Sequence, residues 1–262
     1  MTLRERVERQ LYVGGMVLQR ATPADLLRST LDMLRPKSGV TSLRRVGGQG
    51  DGGYLIPDDL EGIRLLLSPG VAESWTFEDE LFSSDGIPAV LCDRLDVEPD
   101  CQFPIDKLWL GPYSTHEQLS LNDWVDRHAP DDGSDLMLQM DIEGAEYLTL
   151  LACPAEVLSR FRIIVLELHT LHRISDRVLH DLVIQPTLAK MDDIFVPVHI
   201  HANNADKVDH RSGVDIPVTM EVTYHRRDRF RPSGKPVLLP HELDAPNVLG
   251  KPEIRLSDFW TS

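Results

Sequence analysis

Three acids surround one glycine in Asp141-Ile142-Glu143-Gly144-Ala145-Glu146, directly after the apolar run Leu136-Met137-Leu138-Gln139-Met140. Glu167 and His169 follow two residues apart, as do His199 and His201. Carboxylates and imidazoles gathered in one place can hold a divalent cation, move a proton or orient a cationic ligand. A carboxylate at a buried strand end is unfavourable unless it binds something. Residues two apart on a strand share a face, so each pair can point into one cleft. The plainer reading gives Glu146 to the start of the next helix. On that reading Glu143 and Glu167 only orient a ligand, and His199, inside its strand, is structural.

The elements that must position these groups alternate between short apolar strands and helices. Strands are expected at 63–67, 89–92, 108–110, 136–142, 163–168 and 194–200, with an alternating edge strand at 217–224. Helices are expected at 77–84, 120–128, from 145, at 154–161 and within 175–191, where Pro186 should break the run. Thr22-Pro23 reads as a helix cap and start. Such alternation predicts an α/β, doubly wound parallel sheet with ligands at the carboxyl ends of its strands. Residues 1–40 read as an N-terminal helical arm, and 41–262 as one domain with a loop-rich tail from Arg231.

The formal charge of −15 over 262 residues excludes a polyanion such as nucleic acid as the natural partner. No apolar run approaches the roughly 20 residues of a membrane span. Cys92, Cys101 and Cys153 are odd in number and lack metal spacing, which fits free thiols and a cytoplasmic location. The arm carries Leu11, Val13, Val17 and Leu18 beyond the domain, so a homodimer is one expectation.

Gly48-Gln-Gly50-Asp51-Gly52-Gly53 formally satisfies G-x-G-x-x-G. A dinucleotide site needs a helix directly after, and Pro57 forbids one. The segment Asp51-Gly52-Gly53-Tyr54 is better read as a loop lying close to a ligand. Ser68-Pro69-Gly70-Val71 is a tight turn after a buried strand. About twenty residues on, Asp93 ends the second strand, where an acid can accept both hydroxyls of a ribose. Little here could cradle a diphosphate, which favours a nucleoside cofactor without phosphates.

These pieces, in this order, resemble the FkbM-type group of S-adenosylmethionine-dependent methyltransferases. The matching residues are Gly50-Asp-Gly-Gly-Tyr54, Ser68-Pro-Gly-Val71, Ser74 to Leu81, Asp93 and above all Asp141-Ile-Glu-Gly-Ala-Glu146. Glu167-Leu-His169, His199 to Asn204 and Glu221 to Tyr224 extend the match. Ser68 departs from it, standing where an acid is usual, and a second glycine is missing from that turn. The resemblance implies a class I, Rossmann-like methyltransferase sheet of seven strands with the last antiparallel. It implies O-methylation of a sugar, saccharide or other natural product, a methylated mannoside among them.

Methyl transfer to a hydroxyl needs the oxygen held in line and its proton removed. Asp141 with Glu167 or His169 is the expected site of magnesium or manganese. His169 or His201 is the expected base, and Glu143 finishes the pocket. Asn203 and Asn204 suit sugar hydroxyls, because an amide both donates and accepts. A metal-dependent hydrolase built on the same acids and histidines stays open as the alternative.

Overall fold

Seven apolar runs build one mixed sheet in a computed structural model that describes residues 2–15, 18–71, 74–94, 101–210 and 213–261. The strands are β1 (Ile63–Pro69), β2 (Ala89–Cys92), β3 (Ile105–Asp106), β4 (Asp135–Met140), β5 (Phe161–Leu168), β6 (Phe195–Ala202) and β7 (Met220–Arg226). Their spatial order is β3-β2-β1-β4-β5-β7-β6. β1 to β5 pair in parallel, and β7 runs antiparallel to both of its neighbours. The expected seven strands and the reversed last strand are both present.

Side chains alternate across the sheet into two cores. Leu67, Leu138, Leu166 and Val222 face α2 (Ala24–Leu31), α4 (Leu121–His128), α5 (Glu146–Ala152) and α6 (Gln185–Ile194). Leu66, Met137, Ile163 and Val165 face α3 (Thr76–Asp85) and an antiparallel hairpin of Leu43–Val46 with Tyr54–Pro57. Residues 41–56, glycine-rich and expected to be irregular throughout, instead supply both strands of that hairpin, with the glycines in its turn. Gly47, Gly48 and Gly52 all have positive φ there.

Four further expectations change. The alternating run at 217–224 was expected at an edge, yet β7 lies between β5 and β6, and Glu221, Thr223 and His225 are buried. Its polar side chains face the hairpin: Thr223 Oγ1 donates to the Leu55 carbonyl at 2.7 Å, and His225 pairs with Asp59 at 3.0 Å. Pro186 does not break its helix. A π-helical turn at His180–Ile184 precedes α6, so the proline falls in a first turn where its missing N–H removes no hydrogen bond. The 108–110 run pairs outside the main sheet, as Trp109–Gly111 with Gln118–Ser120. Thr22 caps nothing and instead donates to the Ile174 carbonyl at 2.7 Å.

The two ends of the sheet differ in charge chemistry. At the amino end of β4, Asp135 pairs with Arg162 and Arg226, each at 2.6 Å, and Asp59 lies 3.4 Å from Arg162. At the carboxyl end, Glu221 stands directly opposite both Glu167 and His201. Met140 pairs with Leu166, which brings Asp141 level with Glu167. Asp141, Glu167, Glu221 and His201 therefore form one row across β4, β5, β7 and β6. No helix among the described residues is long and apolar enough to cross a membrane.

Candidate active site

The acidic turn is held from below and from within. The Asp141 N–H donates to the Pro69 carbonyl at 3.2 Å, which locks the ends of β4 and β1 together. Gly70 passes so close that a Cβ there would lie 1.5 Å from the Asp141 carbonyl oxygen, and its φ is 83°. Gly70 was expected to approach a cofactor. What demands a glycine is the backbone of the acidic turn.

Glu146 is the first residue of α5, as the sequence assigns it, and its side chain is also the centre of the turn. Its side chain is fully buried. One oxygen, Oε1, accepts from Ile142 N–H at 3.1 Å, Gly144 N–H at 3.0 Å and His169 Nδ1 at 3.0 Å. Glu143 and Thr170, with φ of 56° and 54°, are the two non-glycine residues of left-handed backbone among the described residues. They follow β4 and β5, so strain is concentrated where the strand ends meet.

With Nδ1 on Glu146, His169 turns Nε2 toward Glu143 Oε2 at 3.4 Å and Asp141 Oδ1 at 3.7 Å. One atom from each of Asp141, Glu143 and His169 lies within 4.8 Å of the others, a spacing that can hold a metal ion. Asp141 Oδ1 is buried with no hydrogen-bond partner, while the Glu143 side chain is 87% exposed. Of the expected metal set, Asp141 and His169 lie in this cluster. Glu167 lies outside it and accepts from Asn203 Nδ2 at 2.6 Å, and Glu143 stands in the cluster.

The acids and the histidine here shift one another's protonation. Burial pushes Asp141 up to about 7, opposed by His169 and assisted by Glu143. Burial, Asp141 and Glu221 push Glu167 up to about 9. Burial alone would lower His169, but its bond to Glu146 outweighs that and raises it to about 9. A histidine so held is charged at neutral pH when no metal is bound, which makes it a poor base.

His201 sits between two carboxylates, with Nδ1 3.1 Å from Glu221 and Nε2 3.2 Å from Glu253. Burial again works to lower it, and the Glu221 bond raises it to about 9. Three strand spacings, about 14 Å, separate it from Asp141. The two residues cannot touch one reacting oxygen.

Asn204, expected to meet a substrate, holds the C-terminal tail. Its Nδ2 donates to the carbonyls of Val248 at 3.1 Å and Lys251 at 3.2 Å, and its Oδ1 accepts from Val248 N–H at 2.8 Å. Asn247 bonds Glu221 and, at 3.3 Å, Asp51, which joins the tail to the glycine loop. Neither Asn247 nor Glu253 was singled out in the sequence, because a proline-rich tail carries no periodicity that would place it at a strand end. Asn204→Ala leaves those tail groups unpaired, at about 1–3 kcal/mol. Faster hydrogen exchange of the Val248 N–H, with unchanged melting of the body, is the expected result.

The remaining residues lie along the same edge. Asp93 ends β2 and is buried, and Val71 is buried behind Gly70. Tyr54 is buried with its hydroxyl 3.4 Å from Gln139 Nε2 and its ring edge-on to Phe77. Ser68, fully buried, bonds Gln139 at 2.7 Å and Glu78, which burial pushes up to about 7. Glu78 thus brings a carboxyl group from α3 to Ser68. Asp51 and Gly52 stay at the surface of the hairpin turn, and Gly53 is buried, with Gly48 O 2.5 Å from where its Cβ would stand.

No protein-family model matches the sequence, and no curated protein does. Among solved structures, a tryptophan-to-alanine mutant of the 16S rRNA (adenine(1408)-N(1))-methyltransferase from Catenulisporales acidiphilia is similar at 12% identity and a TM-score of 0.29. The match covers 73% of this chain and 99% of that one. A likeness so loose carries no argument, and function rests on the residues at the sheet edge.

Proposed function

We propose that this chain is an S-adenosylmethionine-dependent O-methyltransferase acting on a hydroxyl of a sugar or saccharide, with a divalent cation at Asp141, Glu143 and His169. One observation carries the reading. The carboxyl edge of the sheet brings the turn after β1, Asp93 after β2 and the acid–histidine cluster after β4 and β5 side by side. Seven strands with the last reversed agree with the sheet that the sequence resemblance implies.

When bound, S-adenosylmethionine supplies an electrophilic methyl group, and magnesium or manganese makes a nearby hydroxyl more acidic. Asp93 accepts the ribose hydroxyls. Tyr54 and Val71 close the apolar side. Asp141 and His169 Nε2 are suited to the cation: the first has a buried oxygen without a partner, and the second is held in one tautomer by Glu146. Glu143 has one oxygen for the cation and the other, open to solvent, for the hydroxyl proton, which it can pass to water. Asn203 and Glu167 face the acceptor together as a donor–acceptor pair. His201 supports the tail through Glu253 and shapes the far wall.

Calorimetry with S-adenosylhomocysteine tests the cofactor, with binding expected for the native chain and weakened at least about tenfold in Asp93→Ala, a lost charge-assisted bond pair. A native chain that binds none removes the methyltransferase reading. Hydrolysis of a test ester without that ligand would favour the metal-dependent hydrolase.

A further inference from the structure

The chain between α1 (Leu3–Val13) and α2 is pinned to the turn that follows β5. Thr22 N–H donates to the Ser175 carbonyl at 2.9 Å, and Arg177 N–H donates to the Arg20 carbonyl at 3.0 Å. The Thr22 hydroxyl adds its bond to the Ile174 carbonyl. Between the two segments lies a surface cavity of about 520 Å3, whose lining includes Arg20, His172, Arg173, Ser175 and Asp176.

The polar lining is made mostly of donors. His172 Nδ1 and Ser175 Oγ are buried and have no hydrogen-bond partner. Buried polar atoms are nearly always paired, so two orphans in the lining of one cavity call for a ligand. Arg20 is exposed, and no ion-pair partner stands against it among the described residues. Arg173 is half exposed and reaches Asp176 at 3.6 Å. Asp176 is the one carboxylate of the lining, and the helical segment after it already uses its charge: Oδ1 accepts from Val178 N–H at 3.0 Å and Leu179 N–H at 3.5 Å. Two arginines against one aspartate leave the lining with a net charge of +1, in a chain of −15. A guanidinium has N–H donors and no acceptor, and the imidazole N–H and the serine O–H donate as well.

We propose that this cavity binds a phosphoryl group, with Arg20 and Arg173 clamping its oxygens and His172 and Ser175 donating from the wall. A carboxylate has too few oxygens for two guanidinium groups, an imidazole and a hydroxyl, whereas a phosphoryl group has three terminal oxygens that accept charge-assisted bonds. The group is that of free phosphate or of a phosphorylated small molecule. The site does not include the Asp141 cluster, and it stands whether or not the chain transfers methyl groups.

Calorimetry on the full chain, free of divalent cations, tests this with inorganic phosphate and with glucose 6-phosphate. The native chain should bind at least one of them with a dissociation constant of about 1 mM or lower. Arg20→Gln with Arg173→Gln should weaken that binding at least about tenfold, the loss of charge-assisted bonds, with unchanged melting because both side chains are exposed. Ser175→Ala should weaken it severalfold, and an unchanged affinity there overturns the role of the wall. Sulfate should displace phosphate, and acetate at the same concentration should not. Tighter binding of glucose 6-phosphate makes the phosphoryl group part of a larger ligand; equal or weaker binding makes it the free ion, and both results support the site. A native chain that binds neither probe, a double variant that binds as well as the native chain, or displacement by acetate overturns it.

Discussion

Gly70→Ala is expected to lower the melting temperature by about 10 °C or more, the effect of some 4 kcal/mol in a chain of this size. A Cβ at Gly70 would stand 1.5 Å from the Asp141 carbonyl oxygen, with 3.3 Å to Ile142 Cγ2. No rotamer relieves a clash between backbone atoms, and the φ of 83° adds strain of its own. The only escape is to move the end of β1 away from the end of β4. That breaks the bond from Asp141 N–H to the Pro69 carbonyl and displaces the acidic turn. Cation affinity and stability should therefore fall together. Thermal unfolding followed by circular dichroism, with Mn2+ titration on the same sample, reads both. A native melting curve would show that the turn is looser than the geometry implies.

Glu146 separates positioning from packing. Glu146→Gln keeps the volume and one acceptor oxygen but removes the charge that fixes His169 Nδ1–H. Loss of such a partner behind a metal-binding histidine typically costs 10–100-fold in metal affinity. Mn2+ binding should weaken by about that factor while the fold persists. Glu146→Ala is more severe, because the N–H groups of Ile142 and Gly144 and the His169 ring lose their common acceptor in a fully buried position. Removing one partner of such a buried charged cluster costs about 3–5 kcal/mol. Equal Mn2+ affinity in the native and Gln forms would sink the idea that Glu146 orients a ligand.

Much of the sheet was legible because buried parallel strands leave apolar runs of four to eight residues, and 63–67, 89–92 and 163–168 fall within or on the observed strands. The position of β7 was not. An alternating strand looks half exposed, and nothing local tells that its polar side chains meet a hairpin rather than water. The cluster at Asp141 and His169 was readable from strand-end acids and histidines. The place of Glu143 beside them was not, since it depends on a left-handed residue in the turn, nor was the bond that Asn203 gives Glu167. Glu146 was legible as a helix residue, but its bond to His169 was not, because that distance closes only when β4 and β5 lie side by side. The tail residues Asn247 and Glu253 reach their partners through loops, where sequence spacing carries no geometry.

The acids at the two ends of the sheet have unlike company. Asp135 and Asp59 are matched to arginines at the amino end. Among the described residues, Asp141, Glu143, Glu167 and Glu221 have histidine and asparagine for neighbours and no arginine or lysine. The two ends differ electrically, with carboxyl groups unmatched by arginine or lysine gathered at one mouth. A sulfonium methyl donor carries one more positive charge than the thioether it becomes. On the proposed reaction, the mouth draws in the charged donor and loses its hold on the product in the same step that transfers the methyl group. Product departure then needs no moving part: the reaction itself discharges the ligand.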